Sequence, residues 1–155
     1  MLKRTIIKNS ILVNEGKSFE SDLMICEGRI ERIDRDISHN EAIIVEANDL
    51  YLIPGCIDDQ VHFRDPGLTH KADIATESRA AVAGGITSFM EMPNTIPNTL
   101  TKALLEAKYQ IAEKKSVANY SFYMGVSHDN LEEILSVNYS NVCGIKVFMG
   151  SSTGG

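Results

Sequence analysis

Short apolar and β-branched segments, separated by polar turns, fill the first part of the chain. They predict strands at 5–13, 22–26, 29–33, 42–46 and 50–53. The pair Glu27-Gly28 lies between two of these segments and predicts a hairpin turn. We therefore expect a small β-rich module over residues 1–53, with no chemistry of its own visible in it.

From residue 54 onwards the pattern changes to strands alternating with helices. Apolar strands begin near Ile57, Ile86, Asn119 and Gly144, at intervals of 29, 33 and 25 residues. Residues 76–83, 101–115 and 129–135 between them have helical character. A β-α repeat of this length predicts parallel strands with right-handed crossovers. A closed barrel and an open doubly wound sheet both fit the pattern.

The repeat stops after its fourth strand. A complete eightfold barrel takes about 250 residues, whereas this chain has 155. We therefore expect residues 54–155 to be the first half of a barrel, truncated after the fourth strand, and the chain to be the N-terminal portion of a larger enzyme. The alternative is a small four-stranded α/β domain.

Composition narrows the classes of partner. The chain is 43% hydrophobic and 23% charged, as is usual for a globular protein, and its net charge of −6 argues against nucleic acid as the main partner. No apolar run approaches the roughly 20 residues that a membrane span needs. The three cysteines are far apart and have no metal-binding spacing, which favours a reducing compartment. We expect a cytoplasmic protein that acts on a small molecule, not on nucleic acid or a membrane.

The candidate chemistry begins at the first strand after residue 54. Strand alternation predicts that Asp58, Gln60 and His62 point to one face, and Arg64 follows in a loop. His62 is a candidate metal ligand, although a single histidine is more often structural, and Gln60 occupies the position where a second histidine would be wanted. Arg64 could clamp a carboxylate or be a solvated loop residue. Asn94 is at the corresponding end of the second strand, where a turn asparagine is also common.

Lys146 lies within the apolar segment 144–149. A lysine buried there should be paired, neutral or modified, because a charged amine is costly to bury. A neutral amine can react with carbon dioxide to form a carbamate, whose two oxygens can bridge metal ions. An inward lysine paired with Asp58 is the simpler reading, and the sequence leaves both open.

Several blocks of sequence together resemble dihydroorotases, within the amidohydrolase superfamily. They are residues 54–67, 71–74 with 80–87, 92–95 and 144–149, and their order and spacing match over about residues 50–150. The resemblance implies a (β/α)8 TIM-type barrel preceded by a small β-sandwich module. It also implies a zinc-dependent reaction, the reversible conversion of L-dihydroorotate to N-carbamoyl-L-aspartate in pyrimidine biosynthesis, with one or two zinc ions per complete chain.

The resemblance also assigns roles by position. His62 matches the second histidine of a ligand pair, and Gln60, a doubtful ligand, replaces the first. Arg64 and Asn94 match residues that hold the substrate carboxylate. Lys146 matches a lysine that many relatives carboxylate to bridge two metals.

The family's later metal ligands and its catalytic aspartate have no counterpart here, because that aspartate is expected beyond residue 155. No catalytic residue is therefore expected within this chain. We expect the fragment alone to be inactive, and either poorly soluble or ordered only by pairing with another chain, and we expect the complete protein to be a homo-oligomer. Two alternatives stay open: a hydantoinase-like or allantoinase-like cyclic amidohydrolase, and a non-catalytic scaffold with the amidohydrolase fold, which Gln60 suggests.

Overall fold

The computed structural model describes residues 3–150 and divides into two compact units, the first ending at Pro54 and the second beginning at Gly55. Within residues 3–150, no helix combines the length and the apolar character needed to cross a bilayer.

The first unit is a mixed five-stranded sheet. Its strands are β1 (Arg4–Asn14), β2 (Lys17–Cys26), β3 (Arg29–Asp34), β4 (Ile43–Glu46) and β5 (Tyr51–Leu52). The order is β3-β2-β1-β4, and β5 also pairs with β1. β1–β2 and β2–β3 are antiparallel, whereas β4 and β5 run parallel to β1. The predicted hairpin turn is confirmed, because Glu27 and Gly28 both have the positive φ that a tight two-residue turn requires.

The second unit is a parallel sheet in the order β6-β7-β8-β9. Its elements are β6 (Cys56–Val61), α1 (Ile74–Ala83), β7 (Ile86–Glu91), α2 (Lys102–Lys115), β8 (Asn119–Gly125), α3 (Leu131–Leu135), a 3-10 turn (Tyr139–Asn141) and β9 (Gly144–Lys146). The predicted alternation of parallel strands and helices is thereby confirmed. Because the strands are parallel, their carboxyl ends lie along one edge of the sheet.

Local capping explains where the two longer helices begin. Asp73 caps α1 through a reciprocal capping box with Thr76, so this helix starts two residues before the predicted boundary. Thr101 caps α2 by accepting a hydrogen bond from the Leu104 amide. α1 ends before Gly84-Gly85, as the sequence predicts.

Aromatic side chains form the centre of the core of the second unit. The rings of Phe63 and Phe89 lie 4.5 Å apart, and those of Tyr109 and Phe122 pack edge to face at 4.9 Å. Phe63 directly follows His62 in the chain and is buried. Core packing thus fixes the backbone from which His62 and Arg64 extend.

Apolar strands are usually buried, but the two outer strands of this sheet are largely exposed. Ile57 on β6 is 64% exposed, and Met149, at the end of the apolar segment 144–149, is fully exposed. β9 ends at Lys146 instead of continuing to residue 149. The reason is topological: β6 and β9 are the edges of the described sheet, so each has a neighbour on one side only.

Candidate active site

Three of the predicted site residues meet at the carboxyl edge of the sheet. His62 directly follows β6, and Asn94 lies three residues beyond the end of β7. His62 Nδ1 is 2.9 Å from Asn94 Oδ1, and Arg64 Nη1 donates to the Asn94 carbonyl oxygen at 3.4 Å. The structure therefore brings His62, Arg64 and Asn94 into one cluster.

The contact between His62 and Asn94 determines which ring nitrogen carries a proton. An amide oxygen only accepts hydrogen bonds, so Nδ1 of His62 must be the donor. In the neutral ring, Nε2 then carries a lone pair and is the nitrogen able to bind a metal ion. The imidazole is exposed, whereas Asn94 is buried at 8% exposure.

The backbone of Arg64 adopts an unusual conformation. Its φ is +66°, in the left-handed region that non-glycine residues rarely occupy. Its amide donates to Glu91 Oε1 at 3.0 Å, and its carbonyl oxygen accepts from the Leu68 amide at 3.0 Å. Arg64 as a residue is half-buried, and its guanidinium lies beside Asn94. Hydrogen bonds on both sides of the residue thus hold this strained conformation.

The loop after β6 also packs directly on the loop after β7. The Ile96 amide donates to the Pro66 carbonyl oxygen at 3.1 Å. Gly67 has a φ of +85°, and a Cβ atom there would overlap the Ile96 carbonyl oxygen. The glycine therefore allows the close approach of the two loops that carry Arg64 and Asn94.

Gly67→Ala is expected to destabilise the protein more than Gly85→Ala. Gly85 has nearly the same φ, +88°, but a Cβ atom there would meet no atom within 4 Å. The control should cost about 1–2 kcal/mol for the left-handed backbone alone, and Gly67→Ala about 1–3 kcal/mol more for the overlap. Urea unfolding measures both variants, and equal losses would contradict the packing argument.

Lys146 is the last residue of β9, at the same edge of the sheet but two strands away from β7. Lys146 as a residue is half-buried, and its ammonium lies 5.5 Å from the centre of the Phe148 ring. Among residues 3–150 it forms no ion pair with Asp58 or any other acid, so the simpler reading of a buried Lys146–Asp58 pair is wrong. Lys146 is less buried than expected because β9 is short and at the sheet edge.

Gln60 lies on β6 and is exposed. Its backbone amide donates to Asp58 Oδ1 at 3.1 Å. The described part of the chain holds no group of three or more histidine, cysteine, aspartate or glutamate side chains able to bind a metal ion. A catalytic zinc site normally takes three protein ligands. His62 offers one imidazole, so residues 3–150 by themselves do not fit a zinc centre.

The structure reveals a buried ion pair beneath this cluster that the sequence analysis missed. Glu91, the last residue of β7, and Lys108, in the middle of α2, have side chains only 1% exposed, with Oε2 and Nζ 2.9 Å apart. Oε2 has no well-aligned hydrogen-bond donor in the described part of the chain, so the contact is primarily electrostatic. Lys108 also donates to the Met92 carbonyl oxygen at 3.2 Å. The sequence signals are an acid closing an apolar strand and a lysine in phase with Leu105 and Ala112.

Burial and pairing shift the pKa values of Glu91 and Lys108 in opposite directions. Burial raises the pKa of the Glu91 carboxyl, and the nearby Lys108 ammonium opposes that shift. Burial likewise lowers the pKa of Lys108, and Glu91 opposes it. Each charge is therefore tolerated in this position only because the other is present.

A separate cavity of about 490 Å³ in the first unit contains none of the candidate residues. It is lined by Asn9, Ile11, Glu20, Ser21, Asp22, Arg35, Asp36, Asn48 and Asp49. The volume of this cavity is not by itself evidence that it takes part in the chemistry at the carboxyl edge of the parallel sheet.

Known proteins of similar sequence show which family the chain belongs to. A family model described as Dihydro-orotase-like matches residues 50–149. The chain belongs to this family. An allantoinase from Bacillus velezensis is 34% identical over 148 residues, which are 95% of this chain and 33% of that protein. A dihydroorotase from Aquifex aeolicus is 46% identical over 99 residues, 63% of this chain and 23% of that protein.

A solved structure supports the same assignment. L-Hydantoinase (dihydropyrimidinase) from Arthrobacter aurescens matches with a TM-score of 0.91 and 30% identity, covering 100% of this chain and 35% of that one. This confirms the predicted fold class, a β-module followed by part of a parallel barrel. The chain spans about a third or less of the length of these relatives. It is homologous to cyclic amide hydrolases, and the matches do not single out one member among dihydroorotase, allantoinase and hydantoinase.

Proposed function

We propose that this chain supplies the N-terminal part of a dihydroorotase, which interconverts L-dihydroorotate and N-carbamoyl-L-aspartate by opening and closing a cyclic amide. The observation that carries the proposal is the position of the Arg64 guanidinium directly beside Asn94, at the sheet edge that also presents His62. A cation and an amide held together in this way suit a substrate that carries a carboxylate next to its ring.

Each residue has a distinct part in this proposal. The Arg64 guanidinium has five N–H donors in a planar fork, so it can donate to Asn94 and still present donors to two carboxylate oxygens. Asn94 uses Oδ1 to accept from His62, which leaves its NH₂ group to donate to the substrate. A site built to bind a polar group rejects analogues that lack it, because its own buried groups then stay unpaired.

Zinc is part of the proposal as an expectation from the family resemblance. Bound zinc would supply Lewis acidity and an activated water. Because residues 3–150 alone do not complete a zinc site, His62 and a carboxylated Lys146 would need further ligands, and Gln60 remains a doubtful one. The proposal includes a reducing, cytoplasmic location, consistent with three free cysteines, and a homo-oligomeric complete enzyme.

A panel of cyclic amides tests the proposal on the full-length protein that carries this sequence. L-Dihydroorotate, 5,6-dihydrouracil, hydantoin and allantoin are compared by kcat/KM, with metal content measured on the same preparation. We expect L-dihydroorotate to be the preferred substrate by a large factor and activity to be lost on chelation. Preference for a ring without a carboxylate would overturn the proposal.

An allantoinase-like activity is the second candidate, because the allantoinase relative matches 95% of this chain. In that case allantoin leads the panel and Arg64 has no carboxylate to bind. A protein that converts none of the four compounds and holds no metal would instead support the scaffold alternative.

A further inference from the structure

Glu91 connects the buried ion pair to the candidate substrate-binding residues. One of its oxygens, Oε1, accepts the hydrogen bond from the Arg64 amide at 3.0 Å, and the other, Oε2, faces Lys108 at 2.9 Å. Lys108 in turn donates to the Met92 carbonyl oxygen, two residues before Asn94. The pair thus contacts the backbone of both loops that form the cluster.

Stability alone gives no reason for a charged pair in this position. Removing two charges from water is costly, and well-packed apolar residues of similar size are often as stable or more stable. The ammonium also lies 4.7 Å from the centre of the Phe122 ring, inside an aromatic core. A carboxylate does, however, offer what an apolar side chain lacks, namely a second oxygen that accepts a hydrogen bond from a neighbouring loop.

That hydrogen bond falls at the most strained residue of the loop. A left-handed conformation is unfavourable for a non-glycine residue, because its Cβ atom comes too close to the following carbonyl oxygen, and Arg64 adopts it with φ at +66°. The bond from its amide to a buried carboxylate is charge-assisted and therefore among the stronger kinds. It favours the conformation from which the guanidinium reaches the Asn94 carbonyl oxygen.

A second ion pair, between Lys115 of α2 and Asp65, holds the residue that directly follows Arg64. Asp65 is 3% exposed, accepts from Lys115 Nζ at 2.7 Å, and lies 3.4 Å from the Ile74 amide. Lys115 follows Lys108 by seven residues, so both lysines lie on one face of α2. Helix α2 thus holds Asp65 directly through Lys115, and it acts on Arg64 only indirectly, through the Lys108–Glu91 pair.

We propose that Glu91 and Lys108 are positioning residues, which hold Arg64 in its left-handed conformation and thereby set the selectivity for a substrate bearing a carboxylate. This inference rests on the proposed function, in which Arg64 binds that carboxylate. Lys108 supplies the counter-charge that allows Glu91 to be buried, and Glu91 supplies the acceptor.

Two double variants of the full-length enzyme separate the acceptor from the charges. Glu91→Gln/Lys108→Met removes both charges but keeps an oxygen for the Arg64 amide. Glu91→Met/Lys108→Met has nearly the same size and keeps none. We expect the second to lower kcat/KM for L-dihydroorotate by about 100-fold, mainly through KM, because small displacements of a binding group have effects of that size. The first should stay within about threefold of the parent, since the hydrogen bond to Arg64 is retained.

A cycle with Arg64→Met tests whether the loss acts through Arg64. In that background, Glu91→Met/Lys108→Met should change kcat/KM by less than about twofold, because the group that it positions is already gone. An undiminished 100-fold loss in that background would show a general structural effect and overturn the inference. Equal activity of the two double variants would overturn it as well.

Hydrogen exchange of the Arg64 amide tests the positioning in the unaltered protein, whether or not the variants fold. A bond to a buried carboxylate should slow its exchange at least about 100-fold relative to an unstructured peptide. Fast exchange at Arg64 beside slow exchange in β8 would overturn the inference. A parent enzyme that opens no carboxylate-bearing ring, yet protects this amide, would instead remove the proposed function and with it the selectivity role, while the structural positioning would stand.

Discussion

Replacing Lys108 with methionine is expected to lower the free energy of unfolding by about 3–5 kcal/mol, because the change leaves an uncompensated charge in the core. Glu91 is completely buried and Lys108 supplies its only ion-pair partner among residues 3–150. Chemical denaturation of the full-length protein measures the loss. Lys114→Met is the matched control, since Lys114 lies exposed on the same helix and its replacement should stay within about 0.5 kcal/mol.

The loss should depend on pH in a defined direction. Burial already raises the pKa of Glu91 above its ordinary 4.5, and Lys108 together with the Arg64 amide opposes that rise, whereas Asp65 adds to it. Without Lys108 the folded-state pKa rises further. A carboxyl with a raised folded-state pKa contributes full stability below its unfolded pKa and loses it as pH rises through the folded value. Lys108→Met should therefore be closest to the parent near pH 4 and least stable well above that.

Neutralising the partner as well should restore most of the stability at pH 7. Glu91→Gln/Lys108→Met removes both charges and keeps the acceptor for the Arg64 amide. Recovery of less than half of the loss, or a Lys108→Met effect that does not vary with pH, would contradict a buried charge as the cause.

Replacing Arg64 with methionine is expected to lower kcat/KM for L-dihydroorotate by about 10²–10⁴-fold, because the substrate carboxylate then loses its cationic partner in a half-buried site. Conversion of 5,6-dihydrouracil, which has no carboxylate, should change by only a few-fold. Methionine has a Cβ atom just as arginine does, so the cost of the left-handed backbone is unchanged and stability should be nearly preserved.

Arg79→Met is the control for charge alone, because Arg79 is an exposed residue of α1. It should leave both activities near those of the parent. An Arg64→Met variant that loses both substrates equally would indicate collapse of the loop, and one that loses neither would favour the allantoinase-like alternative. Steady-state kinetics on the two substrates distinguishes these results.

Local sequence patterns were sufficient to predict most of the elements. The helical character of residues 101–115 places α2 to within one residue, and the range 76–83 ends where α1 ends, before Gly84-Gly85. The edge strands were predicted less well because burial depends on what lies beside a strand, which an apolar run does not encode. Ile57 on β6 is apolar and exposed for that reason, and Met149 is exposed beyond the end of β9.

Only part of the site could be predicted, because some of its contacts follow from strand order and others depend on how a helix packs on the sheet. His62, Arg64 and Asn94 could be inferred to meet because each follows a strand in a parallel sheet, a relation that strand order alone establishes. The pairing of Glu91 with Lys108 depends on how α2 packs against β7, and no short-range pattern specifies which buried acid meets which buried lysine. The roles of Gln60, Lys146 and zinc remain predictions.

In the proposed reaction, the Asn94 side chain connects two groups, the imidazole of His62 and the carboxylate of the substrate. Its oxygen accepts from His62, and in the proposed function its NH₂ group donates to the substrate carboxylate. Hydrogen bonds in series polarise one another, so an anion that draws on the NH₂ group makes the carbonyl oxygen more negative. Binding of substrate would thereby strengthen the hydrogen bond to the imidazole and fix the orientation of Nε2 more firmly. An aspartate in place of Asn94 would still accept this hydrogen bond, but it has no NH₂ group through which the substrate could strengthen it.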